Sequence, residues 1–100
     1  DALPEEMLPQ MVAVQRLRDA ELARATLAAL DAAGPPVVVI TGNGHARKDR
    51  GVPAMLMRAR TGVEIFALGQ AEGGAAPAGN FDLVVSSPPV DRDDPCAAFR

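Results

Sequence analysis

Apolar and polar positions divide the chain into one long helical region followed by short apolar runs. Residues 1–33 are rich in Ala, Leu, Glu, Arg and Gln and contain no glycine, a composition that favours helix. Proline suits the first turn of a helix, and the two prolines here predict a short turn over 4–8 and a long helix over 9–33. Gly34-Pro35-Pro36 then ends the helix.

The rest of the chain alternates between strand and helix patterns. Val37–Ile40 is an unbroken β-branched run, which is typical of a strand covered on both faces. Val52–Ala59 predicts a short helix with a proline in its first turn. Val63–Leu68 and Phe81–Ser86 predict two further strands. The Ala- and Gly-rich stretch Gln70–Gly79 has no periodicity and predicts a loop.

This order of elements predicts an α/β fold, with a layered, mostly parallel sheet and flanking helices. One hundred residues suffice for one small core, so we expect residues 1–100 to form a single incomplete portion of a larger α/β domain, with an irregular tail over 88–100. Right-handed crossovers place the turn after the first strand at the carboxyl edge, where ligands usually bind. An uncovered sheet edge would favour self-association.

Composition narrows the range of partners. Three Phe with no Trp or Tyr leave few stacking platforms for single-stranded nucleic acid. A net charge of −3 and a pI near 5.0 also argue against a polyanion. Residues 42–60, however, contain five Arg or Lys and one Asp, which favours a local anionic partner. The single Cys96 cannot form an internal disulfide, and neither a membrane span nor a signal peptide is visible.

The turn Gly42-Asn43-Gly44-His45 is the first candidate site. Two glycines and an Asn allow positive φ and a close backbone approach. His45 is the only histidine, and a neutral imidazole there could ligate a metal or haem iron, or act as a general base. Alternatively, the turn only joins a strand to a helix, since its spacing matches neither a dinucleotide fingerprint nor a P-loop.

A basic run follows this turn. Arg47, Lys48 and Arg50 could hold a carboxylate or phosphate near His45, bidentately in the case of Arg. The alternative is a solvated loop in which Asp49 forms an internal salt bridge.

A polar cluster in the long helix is the third candidate. Gln15 and Asp19 fall on the face that carries most of the apolar positions, and Arg16 and Asp19 are spaced i, i+3 and can pair. Buried polar groups need partners, so the cluster braces the core or faces a pocket. We expect it to orient the His45 turn from outside the ligand shell.

These segments together resemble the ChaN-like haem-binding uptake family. The resemblance is carried by Met11–Ala20 and Val37–Pro53, and it resumes in Phe81–Val85, Pro88-Pro89 and Asp94–Cys96. It covers nearly the whole chain. Members of the family are considerably longer, and this sequence is similar to their C-terminal part.

The resemblance implies an α/β fold, bacterial haem or iron acquisition, a periplasmic or membrane-associated location, and haem held between two subunits of a dimer. It also implies kinship with Tiki-type metalloproteases and erythromycin esterases, whose sites include a Gly-x-x-His element that Gly42–His45 matches. Two departures matter. Haem ligation in the family also involves a tyrosine, and this chain has none. The acidic residues and first histidine of the hydrolases lie upstream of the matching region.

Three functions therefore remain open. In the first, the protein binds haem, His45 is the metal ligand or lies near it, and Arg47, Lys48 and Arg50 neutralise propionates. In the second, it is a metal-dependent hydrolase with His45 as ligand or general base. In the third, this region gives structural support only.

Overall fold

The computed structural model describes residues 3–99. A 3-10 turn at Glu5–Met7 precedes the long helix, and a second 3-10 turn at Ala97–Phe99 ends the described chain. Between them lie the helices α1 (Leu8–Ala33), α2 (Asn43–Ala46) and α3 (Val52–Ala59) and the strands β1 (Leu68–Glu72) and β2 (Leu83–Ser87). The predicted long helix and the predicted helix Val52–Ala59 are confirmed.

The core lies where the C-terminal half of α1 packs on α3. Ala23 contributes from α1, and Val52 and Leu56 contribute from α3, each almost completely buried. Two ion-pair hydrogen bonds of 2.7 and 2.9 Å join Arg60, just after α3, to Asp31 near the end of α1. The Arg60 guanidinium lowers the pKa of Asp31. The two helices are therefore held together at the ends where both of them stop.

Strands β1 and β2 are parallel, with Leu68 opposite Leu83 and Glu72 opposite Ser87. Burial alternates along β1, because Gly69 and Ala71 are buried while Leu68, Gln70 and Glu72 are exposed, as expected for a strand with one covered face. A Cβ at Gly69 would lie 2.9 Å from the ring of Phe81, so a glycine allows that close approach. The predicted α/β class is confirmed.

The prediction of a covered strand at Val37–Ile40 is wrong. This run forms no strand, and Val38 and Ile40 are 80% and 92% exposed. β-branched composition favours pairing, but a strand exists only where a neighbour supplies hydrogen bonds. Within residues 3–99, no hydrogen bond reaches the backbone of 37–41.

The other two strands are displaced along the chain from their predicted bounds. Pairing begins at Leu68, where the predicted second strand ends, and continues to Glu72, so residues 70–72 are not the loop predicted there. The third strand is Leu83–Ser87 rather than Phe81–Ser86. The pairing of β1 with β2 decides where each strand begins and ends. The apolar content of each segment did not indicate that register.

We predict that Gly51→Ala destabilises the fold by roughly 1–3 kcal/mol, the usual cost of overpacking. A Cβ at this position would lie 2.3 Å from the carbonyl oxygen of His45 and 2.7 Å from that of Arg47. Chemical denaturation of the purified variant measures the free energy of unfolding. Gly44→Ala is the matched control, since its Cβ would meet nothing within 4 Å. Equal stability of the two variants would contradict this account of the turn.

Candidate functional site

The predicted turn is one turn of helix, α2, docked against β1. The Asn43 side chain donates from Nδ2 to the carbonyl oxygen of Gln70 at 2.6 Å, and its Oδ1 accepts from the Gln70 N–H at 3.0 Å. Neither Gly42 nor Gly44 has positive φ, so the turn does not use the left-handed backbone conformation that glycine allows. The docking depends on Asn43.

His45 forms the central contact of the site. Its Nδ1 lies 2.6 Å from Oδ1 of Asp19 on α1. Asp19 is the one buried charged residue in the described chain, 4% exposed, whereas the His45 side chain is 22% exposed. A carboxylate only accepts hydrogen bonds, so Nδ1 carries a proton, and in the neutral imidazole Nε2 is then the acceptor nitrogen.

The Nε2 atom of His45 is open to a ligand. No hydrogen bond reaches it from residues 3–99. In that part of the chain no buried side-chain nitrogen or oxygen lacks a hydrogen-bond partner. Because Nε2 has no partner, it must be accessible. The Asp19–His45 pair therefore holds Nδ1 and leaves Nε2 accessible at the surface of the site.

The structure joins only one member of the predicted helix cluster to the turn. Asp19 contacts His45, as described. Arg16 is exposed and Gln15 is half-buried, and neither makes a side-chain hydrogen bond or ion pair with the described residues. The i, i+3 spacing permitted an Arg16–Asp19 pair, but the carboxylate is turned toward the histidine.

The first residue of the basic run, Arg47, is held by carboxylate and backbone contacts. Its Nε donates to Asp49 at 2.7 Å, and Asp49 also accepts from the backbone N–H of Asn80 at 3.2 Å. The Arg47 guanidinium, followed by the Asn80 N–H, holds the pKa of Asp49 well below its usual range. A backbone bond of 2.8 Å from the N–H of Lys48 to the Asn80 carbonyl completes this attachment.

Lys48 is paired in the same manner. Its Nζ lies 2.9 Å from Oδ1 of Asp82, whose Oδ2 accepts from the backbone N–H of Ala67 at 2.7 Å. The Ala67 N–H and then the Lys48 ammonium lower the pKa of Asp82. Arg47 and Lys48 thus have carboxylate partners within the chain, while Arg50 is exposed and unpaired within residues 3–99.

Two cavities share His45 in their walls. The larger, of about 1000 Å³, is mainly apolar and lies between the two main helices and residues 35–41 and 60–68. The smaller is an open hollow of about 370 Å³ on the α1 side, lined by Arg18, Glu21, Leu22, Thr41 and His45.

Sequence reasoning missed Arg18, the cation that the hollow places beside His45. It makes no ion pair within the described residues, whereas Glu21 is paired with Arg24. Arg18 directly precedes Asp19, and its i, i+4 spacing to Leu22 places both on one side of the helix. That spacing is the signal that could have identified it.

The described residues contain no group of three or more His, Cys, Asp or Glu side chains that could hold a metal ion. A single histidine can hold a haem iron. The finding therefore concerns a metal ion held by protein side chains alone and does not test haem binding. In the same part of the chain, no helix is long and apolar enough to span a bilayer.

Comparison with known protein families gives a match over the first part of the chain. Residues 1–56 match the family model described as "Haem-binding uptake, Tiki superfamily, ChaN". The matched region contains α1, the histidine turn of α2 and the first half of α3, and so includes both Asp19 and His45. No curated protein and no solved structure matches the chain significantly.

We predict that acid releases the basic run from the sheet. The pKa values of Asp49 and Asp82 are lowered in the folded chain, so their stabilising contribution is present above the unfolded-state pKa of about 3.9. It is lost as pH falls from there through the folded values. Chemical denaturation between pH 6 and pH 2 should therefore show falling stability, with a flatter profile in Asp82→Asn.

Asp91→Asn is the matched control, because Asp91 makes no ion pair with the described residues. It should keep the slope of the unmodified chain. If Asp82→Asn and Asp91→Asn had the same pH profile, the Lys48–Asp82 attachment would not contribute to stability.

Proposed function

Because the chain belongs to the haem-binding uptake family of the Tiki superfamily, ChaN, we propose that it binds haem and that His45 Nε2 would hold the iron. The observation that carries this proposal is the 2.6 Å contact between His45 Nδ1 and Asp19. Histidines that ligate metals commonly donate their other N–H to a carboxylate, which fixes the tautomer and makes the ligating nitrogen more basic.

The residues around His45 fit a haem group. The bare Nε2 supplies a nitrogen ligand of the kind found on the proximal side of many haems. Leu22 and Thr41 line the hollow beside it and offer apolar surface to a porphyrin ring. When bound, haem would supply the iron centre, and the chain's own residues would hold and orient it.

Propionate recognition is proposed for Arg18 and Arg50. Both are cations without an ion-pair partner among the described residues, and Arg18 lines the same hollow as His45. A guanidinium binds a carboxylate bidentately. Arg47 and Lys48 already neutralise Asp49 and Asp82, so their contact with propionates would require those pairs to open.

The proposal extends to the assembly in which this site works. An open hollow with one ligand suits a haem held between two subunits, and the second subunit or a further part of a longer protein would supply another ligand. The family description supports a role in haem uptake. A bacterial source and a location in the periplasm or at a membrane are further parts of the same proposal.

The Asp19–His45 pair also favours a second candidate, a hydrolase. An imidazole with Nδ1 bonded to a carboxylate and Nε2 free is arranged as a general base. A metal-dependent version would need ligands beyond those grouped in the described chain. Turnover of an ester or peptide that is lost in His45→Ala, without saturable haem binding, would favour it.

We predict saturable haem binding, followed by absorbance in the Soret region, that is lost or greatly weakened in His45→Ala. Asp19→Asn keeps the shape of the carboxylate and removes its charge. It should weaken binding about 10- to 100-fold, as loss of the carboxylate partner of a ligating histidine commonly does. Equal affinity and an identical spectrum in the unmodified chain and His45→Ala would overturn the assignment of the ligand.

Arg18→Ala and Arg16→Ala form a matched pair, two residues apart on the same helix. Only Arg18 lines the hollow. Arg18→Ala should weaken haem binding by up to about fivefold, the range of an exposed ion pair, with a larger effect at low ionic strength. Arg16→Ala should leave binding unchanged. The reverse order would show that the propionates lie elsewhere.

A further inference from the structure

We propose that Asn43 is the positioning residue of the His45 site. Its carboxamide sets the direction in which Nε2 leaves the site, and it links that nitrogen energetically to the backbone of β1. The link to haem rests on the function proposed above, whereas the positioning of the imidazole is a property of the ligand-free chain.

The α2 turn has few bonds of its own. The N–H groups of His45 and Ala46 donate to the Gly42 carbonyl at 3.0 and 3.2 Å, and the Arg47 N–H donates to the Asn43 carbonyl at 3.2 Å. Gly42 at the N-cap supplies no side-chain hydrogen bond. A helix of four residues is not stable alone. Contacts from outside the turn therefore decide how it lies.

The contact with Asp19 fixes only one end of the imidazole. A single hydrogen bond at Nδ1, 2.6 Å long, selects the tautomer but leaves the ring free to pivot about that bond. The direction of Nε2 then depends on where the Cβ of His45 lies, and so on the backbone of the turn. A second fixed point is needed on the turn itself.

Asn43 provides this second point through two hydrogen bonds to one residue. Its Nδ2 donates to the Gln70 carbonyl at 2.6 Å, and its Oδ1 accepts from the Gln70 N–H at 3.0 Å. Two bonds to one peptide unit fix the plane of the carboxamide as well as its position. Because Gln70 contributes backbone groups only, the contact ties the turn to the strand itself, 27 residues away along the chain.

The contact occupies the edge of β1 that faces away from β2. The carbonyl of Ala67 and the N–H of Gly73 bond to β2 at 3.3 and 3.0 Å. Gln70 lies three residues from each of them, and successive residues of a strand bond to opposite sides. The carboxamide of Asn43 therefore pairs with β1 as the peptide group of a further strand would.

The chemistry of this contact is specific to asparagine. A carboxamide offers a donor and an acceptor, as a peptide group does, whereas an ionised carboxylate only accepts. Asn43→Asp would keep the shape and the bond from the Gln70 N–H, but it would turn a negative oxygen toward the Gln70 carbonyl. Asn43→Ala removes both bonds. If the side chain acted by packing alone, aspartate would replace asparagine without effect.

Coupling between two sites is reciprocal. If the Asn43–Gln70 contact favours the direction of Nε2 that binds a ligand, a ligand on His45 must strengthen that contact by the same factor. The Gln70 N–H reports on it directly, because its bond goes to Asn43 rather than to β2. Haem binding at His45 should therefore slow amide exchange at Gln70.

The first experiment uses the ligand-free chain and compares Asn43→Ala and Asn43→Asp with Asn80→Ala. Asn80 is the matched control, because within residues 3–99 it bonds only through its backbone, to Lys48 and Asp49. NMR relaxation of the imidazole carbons measures the order of the His45 ring. We expect an ordered ring in the unmodified chain and in Asn80→Ala. Both Asn43 variants should show a disordered ring, with Gln70 amide exchange about five- to tenfold faster, the usual effect of a lost hydrogen bond.

The second experiment titrates the same proteins with haem. Asn43→Ala and Asn43→Asp should bind about five- to tenfold more weakly and with an altered Soret spectrum, while Asn80→Ala should match the unmodified chain. In the unmodified chain, haem should slow exchange at Gln70 by a similar factor. Failure of every protein to bind haem would remove the proposed function, and the order of the ligand-free ring would still decide the role of Asn43.

The outcomes that would overturn the proposal are distinct. One is an ordered ring in folded Asn43→Ala, and another is unmodified behaviour of Asn43→Asp. Amide exchange across β2 shows whether each variant is folded, and Asn43→Asp decides if Asn43→Ala unfolds. Unfolding of both variants would also overturn it, because the contact would then serve the whole fold rather than the direction of one nitrogen.

Discussion

A carboxylate buried on a helix needs a hydrogen-bond partner, and the residue that supplies it here determines the arrangement of the candidate site. Asp19 lies on α1 with 4% of its surface exposed, and an unpaired charge at that depth would be costly. His45, 26 residues further along the chain, supplies the hydrogen bond. The pairing attaches the α2 turn to the long helix and fixes the imidazole with its second nitrogen outward. One contact therefore satisfies the buried carboxylate and orients the nitrogen that we propose as the haem ligand.

Two further contacts keep the turn in place. Asn43 bonds both backbone groups of Gln70 on the β1 side, and Gly51 leaves room for the carbonyl oxygens of His45 and Arg47 on the α3 side. The turn is held between α1, β1 and the start of α3. These contacts fix the orientation of the single histidine. In the adjacent basic run, Arg47 and Lys48 are paired with Asp49 and Asp82 and so attach the run to the rest of the fold.

The sequence predicted the helices, which local residue preferences determine. It missed the contacts that depend on residues far away along the chain. Both main helices follow from composition, prolines and the Gly34 stop. The strand at Val37–Ile40 was wrong because β-branched residues cannot pair without a neighbour. His45 and Asp19 were both identified, but only the three-dimensional arrangement joined them. The partners of Arg47 and Lys48, and the position of Arg18 beside the histidine, also depend on long-range packing.

The tautomer of His45 tests the central claim most directly. Nitrogen NMR of the imidazole at alkaline pH distinguishes a protonated Nδ1 from a protonated Nε2, in the unmodified chain and in Asp19→Asn. The account predicts a proton on Nδ1 and a bare Nε2 in the unmodified chain, with a mixture of tautomers once the carboxylate is removed. A proton on Nε2 in the unmodified chain would contradict it, because the nitrogen assigned to the ligand would then be blocked.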